Sequence, residues 1–200
     1  MSHYFVNDKN IKSYKRVLDY KFNDILFKFN SDNGVFSKNE IDDGSDTLLH
    51  SYLENGKQGR VLDVGSGVGF LGIVISKINE CEVDMLEINS RAVELCKENI
   101  ALNKCVDCNV YESDLYEKAN GNYDVVISNP PIRAGKKVIF EIFEKSYDYL
   151  NNNGELWIVI RKSHGADSAK DKIESVFGNC EIIKRNKGFY VLKAVKVASN

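Results

Sequence analysis

A chain of 200 residues, 43% of them hydrophobic, with ten Phe, ten Tyr and one Trp, holds enough apolar material for one sizeable core. It holds too little for two ordinary domains and a linker. Five cysteines, an odd number scattered through ordinary globular sequence, argue against a secreted disulfide framework, and no apolar run approaches membrane-spanning length. With no signal-peptide core in MSHYFVNDKN, the expectation is one domain over 1–200, in the cytoplasm, acting as a monomer or weak dimer with no membrane partner. The net charge of -2 hides an asymmetry: acids outnumber bases over 61–160, and the balance reverses over 161–200. The basic end fits a nucleic-acid contact surface or a solvated face.

In chain order, FNDILFKF (22–29) alternates as a strand does, SDNG (31–34) is a turn, and a helix begins near Ser45. These elements make an N-terminal extension over 1–58, ahead of a core over 59–196. In the core, RVLDV (60–64), EVDML (82–86), CNVY (108–111), YDVVIS (123–128) and ELWIVIR (155–161) read as strands, several apolar nearly throughout. Between them 69–78, 90–103 and 136–150 read as helices, with Ser90 as an N-cap and NNNG (151–154) as a stop. The run 180–196 reads as two strands joined by a tight turn near Asn186–Gly188. The alternation predicts an α/β fold, a Rossmann-like, doubly wound, seven-stranded sheet, mostly parallel and closed by an antiparallel C-terminal hairpin.

RVLDVGSGVGFLG (60–72) places Gly65, Gly67 and Gly69 in a strand-to-helix turn, where positive φ and the missing Cβ let a ligand approach the backbone. Glu87 ends the second core strand, where a carboxylate can accept hydrogen bonds from both ribose hydroxyls. The dinucleotide pattern G-x-G-x-x-G fails, because the sixth position from Gly65 is Phe70, and no Lys-Ser/Thr pair follows for a phosphate loop. Asp63, just before the turn, would repel a pyrophosphate but could organise the turn, or water, around a cationic, amino-acid-like ligand.

On these residues the chain resembles the class I S-adenosylmethionine-dependent methyltransferases. VLDVGSGVG is similar to their first motif, Glu87 to their ribose acid, and Asp114 in YESDLY (111–116) to the acid that contacts the adenine amino group. The resemblance implies S-adenosylmethionine as cofactor, held by Asp63, Gly65, Ser66, Gly67, Glu87, Asp114 and Asn129.

SNPPIR, which contains both prolines of the chain, resembles the N-P-P motif of enzymes that methylate exocyclic or side-chain amino nitrogens. Such nitrogens are poor nucleophiles, their lone pair being delocalised into a π-system. The Asn129 side-chain carbonyl and the Pro130 backbone carbonyl can both accept from the NH2, orienting it as positive charge develops. Pro130 restricts Asn129 to extended conformations and Pro131 restricts Pro130, so the acceptors are preorganised. Taken alone, the tripeptide is equally a rigid end to a buried strand.

GVFSKNEIDDGSDTLL (34–49), NPPIRAGKK and RKSHGAD (161–167) together resemble the small-domain methyltransferases, whose ribosomal members include small-subunit RNA guanine-N2 enzymes. The likeness runs from about Tyr4 to Val195, and the fuller ribosomal enzymes carry an additional N-terminal domain. It implies that Asp43, Gly44 and Ser45 lie near the methionine end of the cofactor. It also implies an RNA partner, contacted by Pro131, Ile132, Arg133, Phe36, Lys136 and Arg161. Many relatives have an aromatic where this chain has Ile132, which leaves Phe36 or an aliphatic wall as the base platform. Two other readings share the motifs: methylation of a protein glutamine or a small amine, and a cofactor-binding module without catalysis. Cys105 and Cys108 have redox or half-zinc-site spacing, but His3, His50 and His164 are isolated and no second ligand pair exists, so no metal is expected. His164 reads as a surface residue of a basic loop.

Overall fold

Residues 11–198 are described by the computed structural model; His3 and Tyr4 lie outside them. The chain opens with a hairpin of β1 (Arg16–Phe22) and β2 (Ile25–Ser31), followed by α1 (Asp43–Asn55). It then alternates through β3 (Val61–Val64), α2 (Phe70–Asn79), β4 (Val83–Glu87), α3 (Ser90–Leu102), β5 (Cys108–Glu112), β6 (Tyr123–Ser128), α4 (Lys136–Tyr149) and β7 (Leu150–Arg161). The last elements are α5 (Ala166–Phe177), β8 (Glu181–Asn186) and β9 (Phe189–Val195). The seven-stranded sheet has the order β5-β4-β3-β6-β7-β9-β8, parallel from β5 to β7 and antiparallel for the last two strands.

Successive strand residues point to opposite faces, and the core divides accordingly. Val61, Val83, Met85, Val125, Ile127, Trp157 and Val159 pack with α1, α2 and the β1–β2 hairpin. Leu62, Val64, Leu86, Val126, Leu156, Ile158 and Ile160 pack with α4 and α5. Burial on both faces is why these strands read as continuous apolar runs. The order in which successive strands are added reverses between β3 and β6, so the loops after the carboxyl ends of β3, β4 and β6 splay apart there and open a crevice.

Several local expectations are corrected. The strand expected over 22–29 is two strands, because Asn23 takes a left-handed φ of 51° and turns the chain. NNNG does not stop α4 in a loop: it is the first part of β7, with Asn153 N–H donating to Lys196 O at 2.7 Å and Lys196 N–H to Gly154 O at 2.9 Å. α3 is capped by Asn89, whose side chain accepts from the N–H groups of Arg91 and Ala92, rather than by Ser90. α1 starts two residues before Ser45, capped by Asp42. α5 was not expected. It buries Ala166, Ala169, Ile173 and Phe177 at helical spacing, a stripe obscured by the charged residues around it.

Candidate active site

A cleft of about 790 Å³ opens at the reversal point. Its lining includes the apolar Val64, Leu86, Ile142 and Ile160, and also Glu87, Asp114, Asn129, Arg133, Arg161 and His164. Ser128 Oγ donates to Val64 O at 2.6 Å, tying together the ends of the two strands that diverge.

The glycine turn divides into packing and approach. A Cβ on Gly69 would lie 2.5 Å from Cys96 Sγ, so that glycine serves the contact between α2 and α3. Gly67, at φ +56°, lines the cleft and would have nothing within 4 Å of an added Cβ. The space is open toward a ligand. Gly65 N–H and Ser66 N–H both donate to Leu86 O, at 2.8 and 3.1 Å, fastening the turn to β4.

Glu87 anchors two loops. Its Oε2 accepts from Gly67 N–H and its Oε1 from Asn89 N–H, each at 2.8 Å. A carboxylate has about four acceptor sites, so capacity remains for two hydroxyls. Burial raises the Glu87 pKa, with the backbone N–H groups of Asn89, Gly67 and Ile88 opposing that rise. Beneath it, Asp63 is fully buried and its pKa is pushed up to about 7 by loss of solvent, which Gly72 N–H opposes from 3.2 Å. Asp63 Oδ1 and Ser66 Oγ are buried with no hydrogen-bond partner. Such orphans under an open glycine turn fit a polar, partly cationic ligand or the water around it.

Asn129 follows β6, and its side chain is fixed by neighbours. Nδ2 donates to Asp42 Oδ2 at 3.0 Å and to Ser45 Oγ at 2.9 Å. Oδ1 makes no hydrogen bond among the described residues. Pro130 is buried and lines the cleft, and Pro131 leads into a short 3-10 turn, Ile132–Ala134, with Ala134 N–H donating to Pro131 O at 2.9 Å.

Residues 26–193 match the family model of the methyltransferase small domain. The chain belongs to the methyltransferase small domain family. It is an S-adenosylmethionine-dependent methyltransferase, as its motifs imply. It is 41% identical to the protein YbxB of Bacillus subtilis over 98% of both chains. It is 31% identical to ribosomal RNA small subunit methyltransferase C of Aliivibrio salmonicida, covering 94% of this chain and 55% of that one. The chain thus spans about half the length of such ribosomal RNA methyltransferases. Among solved structures, the T. thermophilus 16S rRNA N2 methyltransferase RsmC, in complex with AdoMet and guanosine, superposes with a TM-score of 0.83 at 23% identity, over 93% of this chain and 52% of that one. At that identity the likeness is one of fold.

In this methyltransferase the cleft brings together Gly65, Gly67, Glu87, Asp114, Asn129, Pro130, Pro131, Ile132, Arg133, Phe36 and Arg161, eleven of the residues expected from sequence. Others fall outside its lining. Asp63 and Ser66 lie beneath the turn. Gly44 packs on Phe189, where a Cβ would come within 2.7 Å of the ring, and Ser45 reaches the site through Asn129. Asp43 is exposed and paired with Lys187 at 2.7 Å. Lys136 lies with its ammonium 5.0 Å from the Phe140 ring centroid, away from the cleft.

Sequence reasoning missed Asp42 and Phe189, which line the cleft; His164 is exposed, as read, and also borders it. An aspartate just ahead of a helical run is an N-cap signal, so α1 drawn from its true start would have singled out Asp42. Phe189 lies 4.3 Å beneath the Arg161 guanidinium, a contact made by pairing of β7 with β9 and carrying no sequence signal. Much of the basic C-terminal cluster is locally paired: Lys170 with Glu174, Lys172 with Glu144 and Lys187 with Asp43. Among the described residues, no group of three or more His, Cys, Asp or Glu is arranged to hold a metal.

Proposed function

We propose that this methyltransferase modifies an exocyclic amino nitrogen of RNA, guanine N2 of ribosomal RNA being the leading acceptor. One observation carries the reading: a lone carbonyl acceptor, Asn129 Oδ1, is held in a cleft that also contains Glu87 and two arginines. The RNA acceptor draws support from relatives named as ribosomal RNA methyltransferases.

S-adenosylmethionine, when bound, supplies an electrophilic methyl group carried on a sulfonium. Glu87 would hold the ribose hydroxyls and Asp114 the adenine amino group, with Gly65 and Gly67 giving the backbone room. Asp63 and Ser66, beneath the turn, would organise the turn and water at the amino-acid end through their orphan oxygens. Asn129 Oδ1 and Pro130 O accept from the acceptor NH2, orient its lone pair and stabilise charge developing on nitrogen. Ile132, Phe36 and Phe189 wall the base, and Arg133 and Arg161 hold RNA phosphates.

The test is methyl transfer from isotopically labelled S-adenosylmethionine into ribosomal RNA and into assembled small subunits, followed by nucleoside digestion and mass spectrometry. N2-methylguanosine is the expected product. Label confined to protein glutamine would replace this reading with the amide one, which the aliphatic Ile132 at the base position would suit.

A further inference from the structure

We infer that Asp42 is a positioning residue that, with Ser45, locks the Asn129 amide so that its carbonyl, not its NH2, faces the acceptor. The inference rests on Asn129 serving as the hydrogen-bond acceptor described above, and it adds what decides the amide's orientation. An asparagine amide can turn over about χ2 at little intrinsic cost, and its two ends are nearly the same size. One orientation presents an acceptor to an incoming NH2. The other presents two donors, which would meet the donors of the substrate and repel them.

The neighbours remove that ambiguity. Asp42 Oδ2 is 3.0 Å from Asn129 Nδ2, and a carboxylate oxygen has no proton to give, so the amide end facing it has to be the NH2. Ser45 Oγ, at 2.9 Å, takes the second N–H. Both donor hydrogens are then used, and a flip would set Oδ1 against the carboxylate. Hydrogen bonds to charged groups contribute more than neutral ones, so the bond to Asp42 supplies most of the bias.

Asp42 is itself held. Its Oδ2 accepts from Ser45 N–H at 2.9 Å as the N-cap of α1, and its main-chain oxygen accepts from Asp46 N–H at 2.9 Å. Gly44 closes the arrangement, since a Cβ there would approach Asp42 Oδ2 to 2.8 Å. The helix cap, the glycine and the catalytic amide are therefore one unit, spanning 87 residues of sequence between Asp42 and Asn129.

Variants at position 42 separate the clamp from the cap. Asp42→Ser keeps a capping oxygen on a side chain too short to reach Asn129, so stability and S-adenosylmethionine affinity should hold while kcat falls about tenfold. Asp42→Asn keeps both the cap and an acceptor oxygen at the same place, and should retain activity within about threefold of wild type.

The decisive readout is the double-mutant cycle with Asn129→Asp. A carboxylate at 129 has no donor end to misplace, but it would face Asp42 at hydrogen-bond distance, with like charges opposed. In that background Asp42→Ser should raise kcat, the reverse of its effect on the wild type. Loss in both backgrounds, or wild-type kcat in Asp42→Ser, overturns the inference. If Asp42→Ser does not fold, Ser45→Ala removes the other acceptor without touching the capping side chain and should lower kcat with S-adenosylmethionine affinity intact; an unchanged kcat there counts against the clamp. Full activity in Asn129→Ala would remove the amino-nitrogen reading itself. An inactive Asn129→Ala beside a fully active Asp42→Ser would remove only the clamp.

Discussion

Two buried aspartates in adjacent strands of the sheet have opposite surroundings. Asp84, in β4, accepts from Arg60 Nη2 at 2.7 Å, from the Tyr123 hydroxyl at 2.8 Å and from Asn109 Nδ2 at 3.2 Å. Asp63, in β3, has one hydrogen bond, from Gly72 N–H, and an orphan oxygen. The first stands near the amino ends of the strands, where every acceptor is met from within the chain. The second stands near the carboxyl ends, beneath a turn that leaves space for something else. Buried polar groups satisfied internally hold the fold, and those left open mark where a ligand belongs. Asn129 belongs with Asp63: its donors are tied down and its acceptor is free.

The largest effect that would break this contrast lies at Asn129. Asn129→Ala should reduce turnover about 10²–10³-fold, or roughly 2.7–4 kcal/mol, as for loss of one preorganised group at a reacting centre. S-adenosylmethionine should still bind, as calorimetry would show. Full activity would return the Asn-Pro-Pro turn to a purely structural role.

Asp84→Ala should do the reverse. Stranding Arg60 and Tyr123 should cost about 2–3 kcal/mol, below the usual loss for a buried pair because Arg60 keeps some solvent access, and thermal unfolding should fall by about 5–10 °C. Turnover per folded molecule should be normal. A large loss of turnover with unchanged stability would contradict the assignment of that edge to the fold.

Glu87 takes part in both worlds, bonding two loops while keeping acceptors free. Glu87→Ala should weaken S-adenosylmethionine binding at least tenfold, about 1.4 kcal/mol, by calorimetry. Unchanged affinity in a folded variant would remove the ribose assignment.

A last prediction sharpens the comparison through pH. The folded pKa of Asp63, raised by burial to about 7, lies above the ordinary aspartate value of 3.8. A folded state that holds a proton the unfolded state has released loses stability as pH rises between those values. The contribution is full below about pH 4 and gone once pH has passed through about 7. Thermal unfolding of the cofactor-free protein should therefore be more pH-dependent across this window in wild type than in Asp63→Asn. Wild type should lose stability across the window, and Asp63→Asn should show the flatter curve. Parallel curves for the two proteins would mean that Asp63 is ionised throughout.

Elements with strong periodicity were legible in the sequence: β6 was read at its observed ends, and α2, α3, β4 and α4 within one residue at each end. Local misreadings have local causes. The Asn-rich run at 151–154 has turn chemistry, yet Leu150 just before it pairs with Tyr123, and Asn153 and Gly154 within it exchange backbone hydrogen bonds with Lys196. Such tertiary hydrogen bonds override propensity. α5 was hidden because an amphipathic helix with a narrow apolar stripe resembles a charged loop when its ends are not recognised.

By itself the sequence determined the sheet, the glycine turn, Glu87 at a strand end and the Asn-Pro-Pro turn, because each is written in contiguous residues whose backbone preferences are local. Only the tertiary structure decided which way the Asn129 amide faces, that Phe189 and His164 reach the cleft, and that Asp63 lies below the turn rather than in it. Those outcomes depend on partners far apart in the chain and on loss of solvent. Neither the proximity of Asp42 to Asn129 nor the burial of Asp63 exists until the strands have paired and the helices have closed over them.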